Sequence, residues 1–263
     1  MPDFIDHTGR TISLTPNPTS IISVVPSLTE LLFHLGLDKQ VAGITKFCIH
    51  PQQWLSEKVK VGGTKNLNIS LIKQLQPDLI LASKEENLQS EIEALSAFPV
   101  WISDIHNINE ALSAINDIGL MTNKADAAQD LISSIKNNFL LLKKTEQKPT
   151  VIYLIWRKPY MTVGGDTFIH SMLDAAGFDN VYKNENRYPA ISIDDIAHHN
   201  PDYIFLSSEP FPFKEKHVEE IKQELPNNNI VLVDGEMFSW YGSRMIHAPS
   251  YFLNLWSYGL HGK

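Results

Sequence analysis

Cysteine is nearly absent from this chain of 263 residues, and the single Cys48 excludes an intramolecular disulfide. No stretch approaches the ~18 consecutive apolar residues that indicate a membrane-spanning helix. Lysine and arginine form no cluster, and the net charge is −8, which argues against nucleic acid as a partner. The hydrophobic fraction of 43% is that of an ordinary globular protein with buried cores.

The usual catalytic signatures are also missing. The chain contains no Gly-x-Gly-x-x-Gly, no Gly-x-x-x-x-Gly-Lys-Ser/Thr and no Gly-x-Ser-x-Gly motif. Cys48 and His50 could be nucleophile and base, but no third group is evident that would orient them, so a packed thiol is favoured. The ten histidines do not follow metal-ligand spacing. The sequence therefore predicts neither an enzyme nor a site for a bare metal ion.

The first residues, Met1 to His7, lack the basic and then apolar pattern of a secretory signal. Two interpretations stay open on this evidence. Either the chain is cytoplasmic, or the sequence begins after a signal that has been removed.

The strongest positive signal is a long internal repeat. Residues 69–86 and residues 191–210 each predict a short apolar helix, a Pro-Asp pair, a buried strand, and then Ser and Glu. Pro77-Asp78 begins the first of these strands, and Pro201-Asp202 begins the second. The separation is too large for a solenoid, so the repeat predicts two similar lobes with a cleft between them.

The repeat extends in both directions from this segment. The apolar run 21–25 matches 151–155, and 100–104 matches 230–234. Gly36 and Gly177 each follow a predicted helix at the position where a left-handed residue is common. Each lobe therefore reads strand, helix, helix, strand, helix, strand. This alternation predicts an α/β fold with parallel sheets covered by helices on both faces.

The lobes are joined by a different kind of segment. From Lys124 to about Thr145 there is neither Gly nor Pro. Apolar residues recur there at spacings of three and four, which predicts one long helix as the only crossover between the lobes. The stripe consists of Ala128, Leu131, Ile132, Ile135, Phe139 and Leu142. The predicted division is an N-terminal lobe (1–121), a connecting helix (122–147) and a C-terminal lobe (148–263).

Aromatic and basic residues are concentrated in loops that follow predicted strands, at 47–51, 62–66, 156–160 and 238–244. Ligands of parallel sheets bind beyond the carboxyl ends of the strands, so these loops are predicted to contact a ligand. The predicted apolar walls are Phe47, Trp156, Tyr160, Trp240 and Tyr241, and the predicted polar contacts are Arg157, Arg244, Lys65 and His50. Loop packing alone is the alternative for Trp156 and Trp240.

Several segments in this order resemble the helical-backbone periplasmic binding proteins, which are the substrate-binding proteins of ABC-type importers for iron–siderophore complexes, haem and cobalamin. The resemblance extends from about Arg10 to the C-terminal helix, and the cobalamin-binding branch is the most similar. The segments that carry it are Pro26-Ser27-Leu28-Thr29-Glu30-Leu31-Leu32-Phe33, Val41-Ala42-Gly43-Ile44-Thr45, Val61-Gly62-Gly63-Thr64 and Pro77-Asp78-Leu79-Ile80-Leu81-Ala82.

The resemblance implies a monomeric, extracytoplasmic receptor that needs no cofactor and delivers a metal chelate to a membrane permease. It also implies an acidic residue on each lobe that meets arginines of the permease. The matching positions are Glu85 or Glu86 in the first lobe and Glu209 in the second, with Glu91 and Glu215 as substitutes. A capping or solvated carboxylate is the alternative at each position.

Two other functions remain as alternatives. The missing signal pattern favours a cytoplasmic carrier or sensor of the same ligand class. An enzyme on the same scaffold is the other alternative. The metallocluster proteins with this architecture need several cysteines, and this chain has one.

Overall fold

The structure is a computed structural model that describes residues 2–142 and 147–259. The contacts divide the chain into two compact units. Unit 1 comprises Met1–Ile105, Asn109–Ser134 and Tyr241–Arg244. Unit 2 comprises His106–Ile108, Ile135–Trp240 and Met245–Lys263. Each unit is built around one parallel sheet.

Unit 1 contains a five-stranded parallel sheet in the order β5-β4-β3-β8-β9. Strand β8 is buried along its whole length, as expected for a strand covered on both faces. Two small antiparallel pairs, β1 with β2 and β6 with β7, accompany the sheet. The elements up to residue 121 are β1 (Asp3–Ile5), β2 (Thr11–Ser13), β3 (Ile21–Ser23), α1 (Pro26–His34), β4 (Val41–Ile44), α2 (Trp54–Glu57), β5 (Val59–Lys60), β6 (Gly62–Gly63), β7 (Asn66–Leu67), α3 (Ile69–Leu75), β8 (Leu79–Ser83), α4 (Gln89–Glu93), β9 (Val100–Ser103) and α5 (Ile108–Met121).

Unit 2 contains a four-stranded parallel sheet in the order β12-β10-β14-β15, and β11 pairs with β13 beside it. The elements from residue 125 onward are α6 (Ala125–Phe139), whose residues 125–134 belong to unit 1, β10 (Thr150–Leu154), β11 (Tyr160–Met161), α7 (Phe168–Ala175), β12 (Asp179–Asn180), β13 (Ala190–Ile191), α8 (Ile193–His199), β14 (Tyr203–Ser207), α9 (Glu215–Glu224), β15 (Asn229–Val233), α10 (Glu236–Ser239), a 3-10 helix (Ser243–Ile246), α11 (Ala248–Asn254) and a π-helix (Leu255–Gly259).

The two sheets confirm the α/β fold predicted from the repeat. The order β4-β3-β8-β9 in unit 1 corresponds to β12-β10-β14-β15 in unit 2. The cores also correspond, because Ile72 of α3 packs under the unit 1 sheet as Ile196 of α8 packs under the unit 2 sheet. Gly36 and Gly177 both have positive φ, at 71° and 90°, so the predicted left-handed residues after α1 and α7 are confirmed.

The repeated Pro-Asp pairs have one structural role in both units. In unit 1, Asp78 Oδ2 accepts hydrogen bonds from the Thr19 N–H at 2.8 Å, the Ser20 N–H at 3.0 Å and the Thr19 hydroxyl at 2.9 Å. In unit 2, Asp202 Oδ2 accepts from the Thr150 N–H at 2.7 Å and the Thr150 hydroxyl at 2.8 Å. Each aspartate therefore fixes the amino end of a neighbouring parallel strand.

The predicted connecting helix is shorter than expected. Helix α6 covers Ala125–Phe139 and buries the first part of the predicted stripe, from Ala128 to Ile135. Leu140 to Leu142 lie in a turn, so the expected continuation to residue 142 is wrong, and residues 143–145 lie outside the described part of the chain. Within residues 2–142 and 147–259, no helix combines the length and apolar character needed to cross a membrane.

Residues 241–244 depart from the expected course of the chain. They were predicted to belong with the second lobe, but their contacts place them in unit 1. Arg244 forms a two-point ion pair with Glu30 of α1, through Nε at 3.0 Å and Nη2 at 2.6 Å. Gly242, at φ 101°, lies against α1, where an added Cβ would meet Leu31 Cβ at 3.4 Å. Helix α6 is therefore not the only connection between the two units.

Replacing Asp78 with Ala should lower the free energy of unfolding by about 1–2 kcal/mol, because two backbone N–H groups lose their acceptor. The hydrogen bond from the Thr19 backbone is the main reason that the pKa of Asp78 is lowered. A lowered pKa stabilises the fold above the unfolded-state pKa, and this stabilisation is lost as pH falls through the folded-state value. Urea denaturation should therefore show a difference between wild type and variant that is full at neutral pH and shrinks in acid. Thr19→Val, which keeps both N–H bonds, should cost less, and an equal loss in both variants contradicts this account.

The ion pair between Arg244 and Glu30 should stabilise unit 1 measurably, because both side chains are largely buried, with exposed fractions of 13% and 20%. A double-mutant cycle of Arg244→Lys and Glu30→Gln should give a coupling energy of about 1–3 kcal/mol in denaturation experiments. Lysine keeps the charge but cannot form the two-point contact. The matched control is the pair of Arg157 and Glu220, whose carboxylate is 42% exposed and whose coupling should be smaller. Equal coupling in both pairs contradicts the prediction.

Candidate functional site

The predicted site residues follow the carboxyl ends of strands, as the sequence indicated. Phe47 and His50 follow β4, and Glu85 and Glu86 follow β8. In unit 2, Trp156 follows β10, Glu209 follows β14 and Trp240 follows β15 by way of α10. Because the strands of each sheet are parallel, these loops lie at one edge of the sheet in each unit.

In unit 1, Phe47 is the most prominent apolar residue at this edge. Its ring is 52% exposed, and Lys46 Nζ lies 5.1 Å from the ring centroid. The ring rests beside Gly63, where an added Cβ would come within 3.1 Å of Phe47 Cε2. Lys65 is exposed in the turn between β6 and β7, and His50 is partly buried. Phe47 therefore presents a flat apolar surface beside a cation.

Cys48 has the environment of a packed thiol. It is fully buried, and its sulfur lies 3.0 Å from the Thr29 hydroxyl and 3.2 Å from the Thr45 hydroxyl. Burial raises the pKa of the Cys48 thiol above its ordinary value. A thiolate is the reactive form of cysteine, so this environment disfavours the nucleophile interpretation.

Tyr241 and Arg244 lie in unit 1 and have internal partners. The Tyr241 hydroxyl is buried and lies 3.2 Å from the Ser103 hydroxyl at the end of β9. Burial, with the nearby Glu86 carboxylate, raises the pKa of Tyr241. Arg244 is held by Glu30, so a ligand oxygen would have to compete with that carboxylate. Their predicted ligand contacts stay predictions.

In unit 2, Trp156 is the exposed aromatic residue at the equivalent edge of the sheet, although it follows β10, the counterpart of β3, whereas Phe47 follows β4. Trp156 is 41% exposed, and its ring packs edge-on against Phe211, with centroids 5.8 Å apart. The indole is therefore supported on one side by the partly buried Phe211, which packs in turn on the buried Phe213 and His217.

Arg157 and Tyr160 lie beside Trp156. Arg157 Nη2 contacts both carboxylate oxygens of Glu220, at 2.5 and 2.6 Å. Tyr160 lies on β11, and burial raises the pKa of its hydroxyl. Arg157 is thus braced by α9, a role that the sequence did not indicate for Glu220.

Trp240 is largely buried, at 7% exposed, and directly follows Ser239, the last residue of α10. Ser239 Oγ contacts the Glu209 carboxylate. Burial is the largest influence on Glu209 and raises its pKa, and the contact with Ser239 opposes that rise. The structure therefore places a predicted docking residue, Glu209, against the residue that precedes the predicted ligand residue Trp240.

The other predicted docking residues have different environments. Ser83 Oγ accepts from the N–H groups of both Glu85, at 3.3 Å, and Glu86, at 3.4 Å, and Ser207 Oγ accepts from the Glu209 N–H at 3.3 Å. Glu85 and Glu209 each stand two residues after the accepting serine, and this shared spacing matches Glu85 with Glu209. Of the two substitutes, Glu91 accepts from the Leu67 N–H at 3.1 Å, whereas Glu215 is exposed at the start of α9.

Three residues of these sites were not predicted from the sequence: Phe211, Glu220 and Ser239. Phe211 stands two positions after Glu209 in an aromatic pair with Phe213, which was a usable signal. Glu220 and Ser239 became recognisable only through tertiary contacts. Among the described residues, no group of three or more His, Cys, Asp or Glu side chains is placed to hold a metal ion.

Comparison with known proteins gives the family. The family model described as "Periplasmic binding protein" matches residues 21–230. The chain is 24% identical over 237 residues to a vitamin B12-binding protein of Vibrio campbellii, covering 87% of this chain and 86% of that protein. It is also 24% identical to an uncharacterized ABC transporter substrate-binding lipoprotein of Bacillus subtilis, covering 92% of this chain and 81% of the lipoprotein.

A solved structure with the same fold is that of a possible iron-binding (periplasmic solute-binding) protein from Staphylococcus epidermidis. Its TM-score is 0.75 at 26% identity, over 89% of this chain and 96% of the other. The family match covers most of the chain and confirms the resemblance found in its sequence motifs. This chain belongs to the periplasmic binding protein family.

Proposed function

We propose that the chain is the substrate-binding protein of an ABC-type importer and that it binds a metal chelate of the corrinoid or ferric-siderophore class. The named relatives support both parts, since one is a vitamin B12-binding protein and another an ABC transporter substrate-binding lipoprotein. Family membership supports an extracytoplasmic location and a binding rather than a catalytic role. The relatives do not favour the alternative of a cytoplasmic carrier or sensor.

One structural observation supports the proposed class of ligand. Each unit exposes an aromatic ring at the carboxyl edge of its sheet, Phe47 in unit 1 and Trp156 in unit 2. Large flat rings suit a bulky, partly apolar ligand, because they supply contact area with little loss of side-chain freedom. Lys46 lies beside the Phe47 ring and provides positive charge for polar groups at the rim of the ligand, whereas Arg157, which follows Trp156, is paired with Glu220. In this proposal the metal arrives already chelated, so the protein needs no metal ligands of its own.

The ligand proposal predicts selective thermal stabilisation. Purified protein is screened against cyanocobalamin, cobinamide, haemin and several ferric siderophores. A probe that binds only the folded state at a concentration of about 100 Kd adds roughly 2.7 kcal/mol of stability and raises the Tm. A shift with one chelate is expected, and no shift with any probe from a well-folded sample contradicts the proposal.

Truncating the exposed rings should weaken binding of whichever probe gives the shift. Trp156→Ala should lower affinity by about 10- to 100-fold, because the apolar area that the ligand covers is lost. Phe47→Ala should act in the same direction. Leu120→Ala is the control, since Leu120 is a comparably exposed apolar residue of α5 that follows no strand. An affinity that falls equally in the control, or in none of the variants, excludes the rings as the ligand surface.

We also propose that Glu85 meets a cation of the permease, together with Glu209. The equivalent Ser83 and Ser207 contacts support this pairing. Glu85→Gln should leave ligand affinity unchanged and reduce cellular uptake of the bound probe by about tenfold, because an interfacial charge pair is broken. Glu93→Gln, an exposed carboxylate on nearby α4, is the control and should retain uptake. Full uptake with Glu85→Gln contradicts the docking role.

A further inference from the structure

Trp156, the exposed ring of unit 2, is held from the loop that follows β14. The Phe211 N–H donates to the carbonyl of Ile155, the residue before Trp156, at 3.3 Å. The two rings also meet, with the centroids of Phe211 and Trp156 5.8 Å apart at an interplanar angle of 71°. The backbone and the side chain of Phe211 therefore fix the same point of the ligand loop.

Phe211 packs in turn against a buried histidine of α9. The His217 ring is 5% exposed, and its centroid lies 5.3 Å from that of Phe211 and 5.5 Å from that of Phe213. Phe213 belongs to the hydrophobic core of unit 2. The loop 211–213 presents no charged side chain to the imidazole. A row of rings thus runs from Phe213 and His217 through Phe211 to the exposed indole of Trp156.

His217 is the third residue of α9 and caps the amino end of that helix. The Lys214 backbone N–H donates to His217 Nδ1 at 2.9 Å, so this nitrogen carries no proton in the folded protein. In return, the His217 backbone N–H donates to the Lys214 carbonyl at 2.8 Å. Glu and Gln are the usual residues at this position of a capping box, and both accept the same bond. An imidazole can do so only with Nδ1 unprotonated.

The charges around His217 favour the neutral imidazole. Burial lowers the pKa of His217, and the neighbouring cations lower it further, whereas Glu220 opposes them. The cations are Lys216 and Lys214 at the start of α9 and Arg157 of the ligand loop. Arg157 is itself paired with Glu220, with Nη2 2.5 Å and 2.6 Å from the two carboxylate oxygens. A proton on His217 would therefore remove the capping bond and add positive charge where three cations already act.

We propose that His217 is a positioning residue for Trp156: neutral, it caps α9 and keeps Phe211 against the indole, and protonated, it can do neither. This inference rests on the proposed function for its ligand, because Trp156 is the ring that the ligand is expected to cover. An imidazolium cannot accept from the Lys214 N–H, so the ring must turn away from the helix end and from Phe211. The ligand surface of unit 2 is accordingly intact at neutral pH and loosened in acid.

Fluorine NMR of protein labelled with 5-fluorotryptophan follows Trp156 directly. The chain has five tryptophans, and the Trp156 resonance is the one missing from Trp156→Phe. Because the folded-state pKa of His217 is lowered, its capping bond is complete at neutral pH and is lost as pH falls through that value. We expect the Trp156 resonance to shift between about pH 7.5 and 5, with a midpoint below the ordinary histidine pKa of about 6.5. Its solvent isotope shift between H2O and D2O should increase in acid, because the indole becomes more exposed.

His217→Gln keeps an acceptor at the third position of α9 but does not titrate. In H217Q the Trp156 resonance should stay in place over this pH range. Trp101, which packs against His7 with centroids 5.0 Å apart, is the internal control, and its resonance should titrate in both proteins. His198→Gln is the matched control variant, since His198 is an exposed histidine of α8, and it should behave as wild type does.

Binding should follow the same pH dependence. The affinity of wild type for cyanocobalamin or haemin should fall by about 3- to 10-fold from neutral to acid pH, the factor that corresponds to one lost hydrogen bond. H217Q should keep its affinity over the same range, and comparison of the two proteins at each pH removes the effect of pH on the chelate itself. Equal affinity of wild type at both pH values, for a chelate that binds, contradicts the inference.

A Trp156 resonance that does not move with pH in wild type overturns the positioning role, whatever the variants do. The same follows if H217Q titrates as wild type does, because another group would then act on the indole. The NMR experiment needs no ligand, so its failure differs from that of the proposed function. Absence of binding by every chelate, with the titration as expected, would count against the proposed ligand class alone.

Discussion

Parallel pairing of the strands is the constraint on which the rest of each unit depends. A parallel neighbour can be reached only by a crossover, so every strand of both sheets ends at the same edge. Each crossover helix must also return the chain to the sheet beside the correct strand. Both units do this with the same local arrangement. A left-handed residue, Gln76 or Asn200, ends the helix, and a Pro-Asp pair follows whose aspartate fixes the neighbouring strand.

At this edge of each sheet, backbone polar groups at the strand ends are buried and need hydrogen-bond partners within the protein. Serine hydroxyls provide these partners in both units, with Ser83 and Ser103 in unit 1 and Ser207 in unit 2. A serine at a strand end is small enough to be buried and can accept from a backbone N–H two residues later. This local bond sets the direction of the following chain and so places Glu85 and Glu209 at equivalent points.

The sequence predicted those features that local pattern determines. The repeat, the parallel sheets and the left-handed Gly36 and Gly177 all leave periodic or positional signals. The end of α6 was misplaced because Leu140 to Leu142 continue the apolar spacing although the chain turns there. The partners of Arg244 and Ser239 could not be predicted, since Glu30 lies 214 positions away from Arg244 and Glu209 belongs to another loop than Ser239. Such contacts depend on tertiary packing, which periodicity does not encode.

The same contacts indicate which forces are available for binding. Arg157 and Arg244 were expected to hold polar groups of the ligand, yet each already faces a carboxylate, Glu220 or Glu30. Much of their charge is therefore compensated within the protein, whose net charge is −8. Exposed rings carry no such compensation, and the free energy gained by covering them scales with the apolar area removed from water. Affinity at these loops is accordingly expected to depend on Phe47 and Trp156 more than on the arginines, which serve to brace the loops that present them.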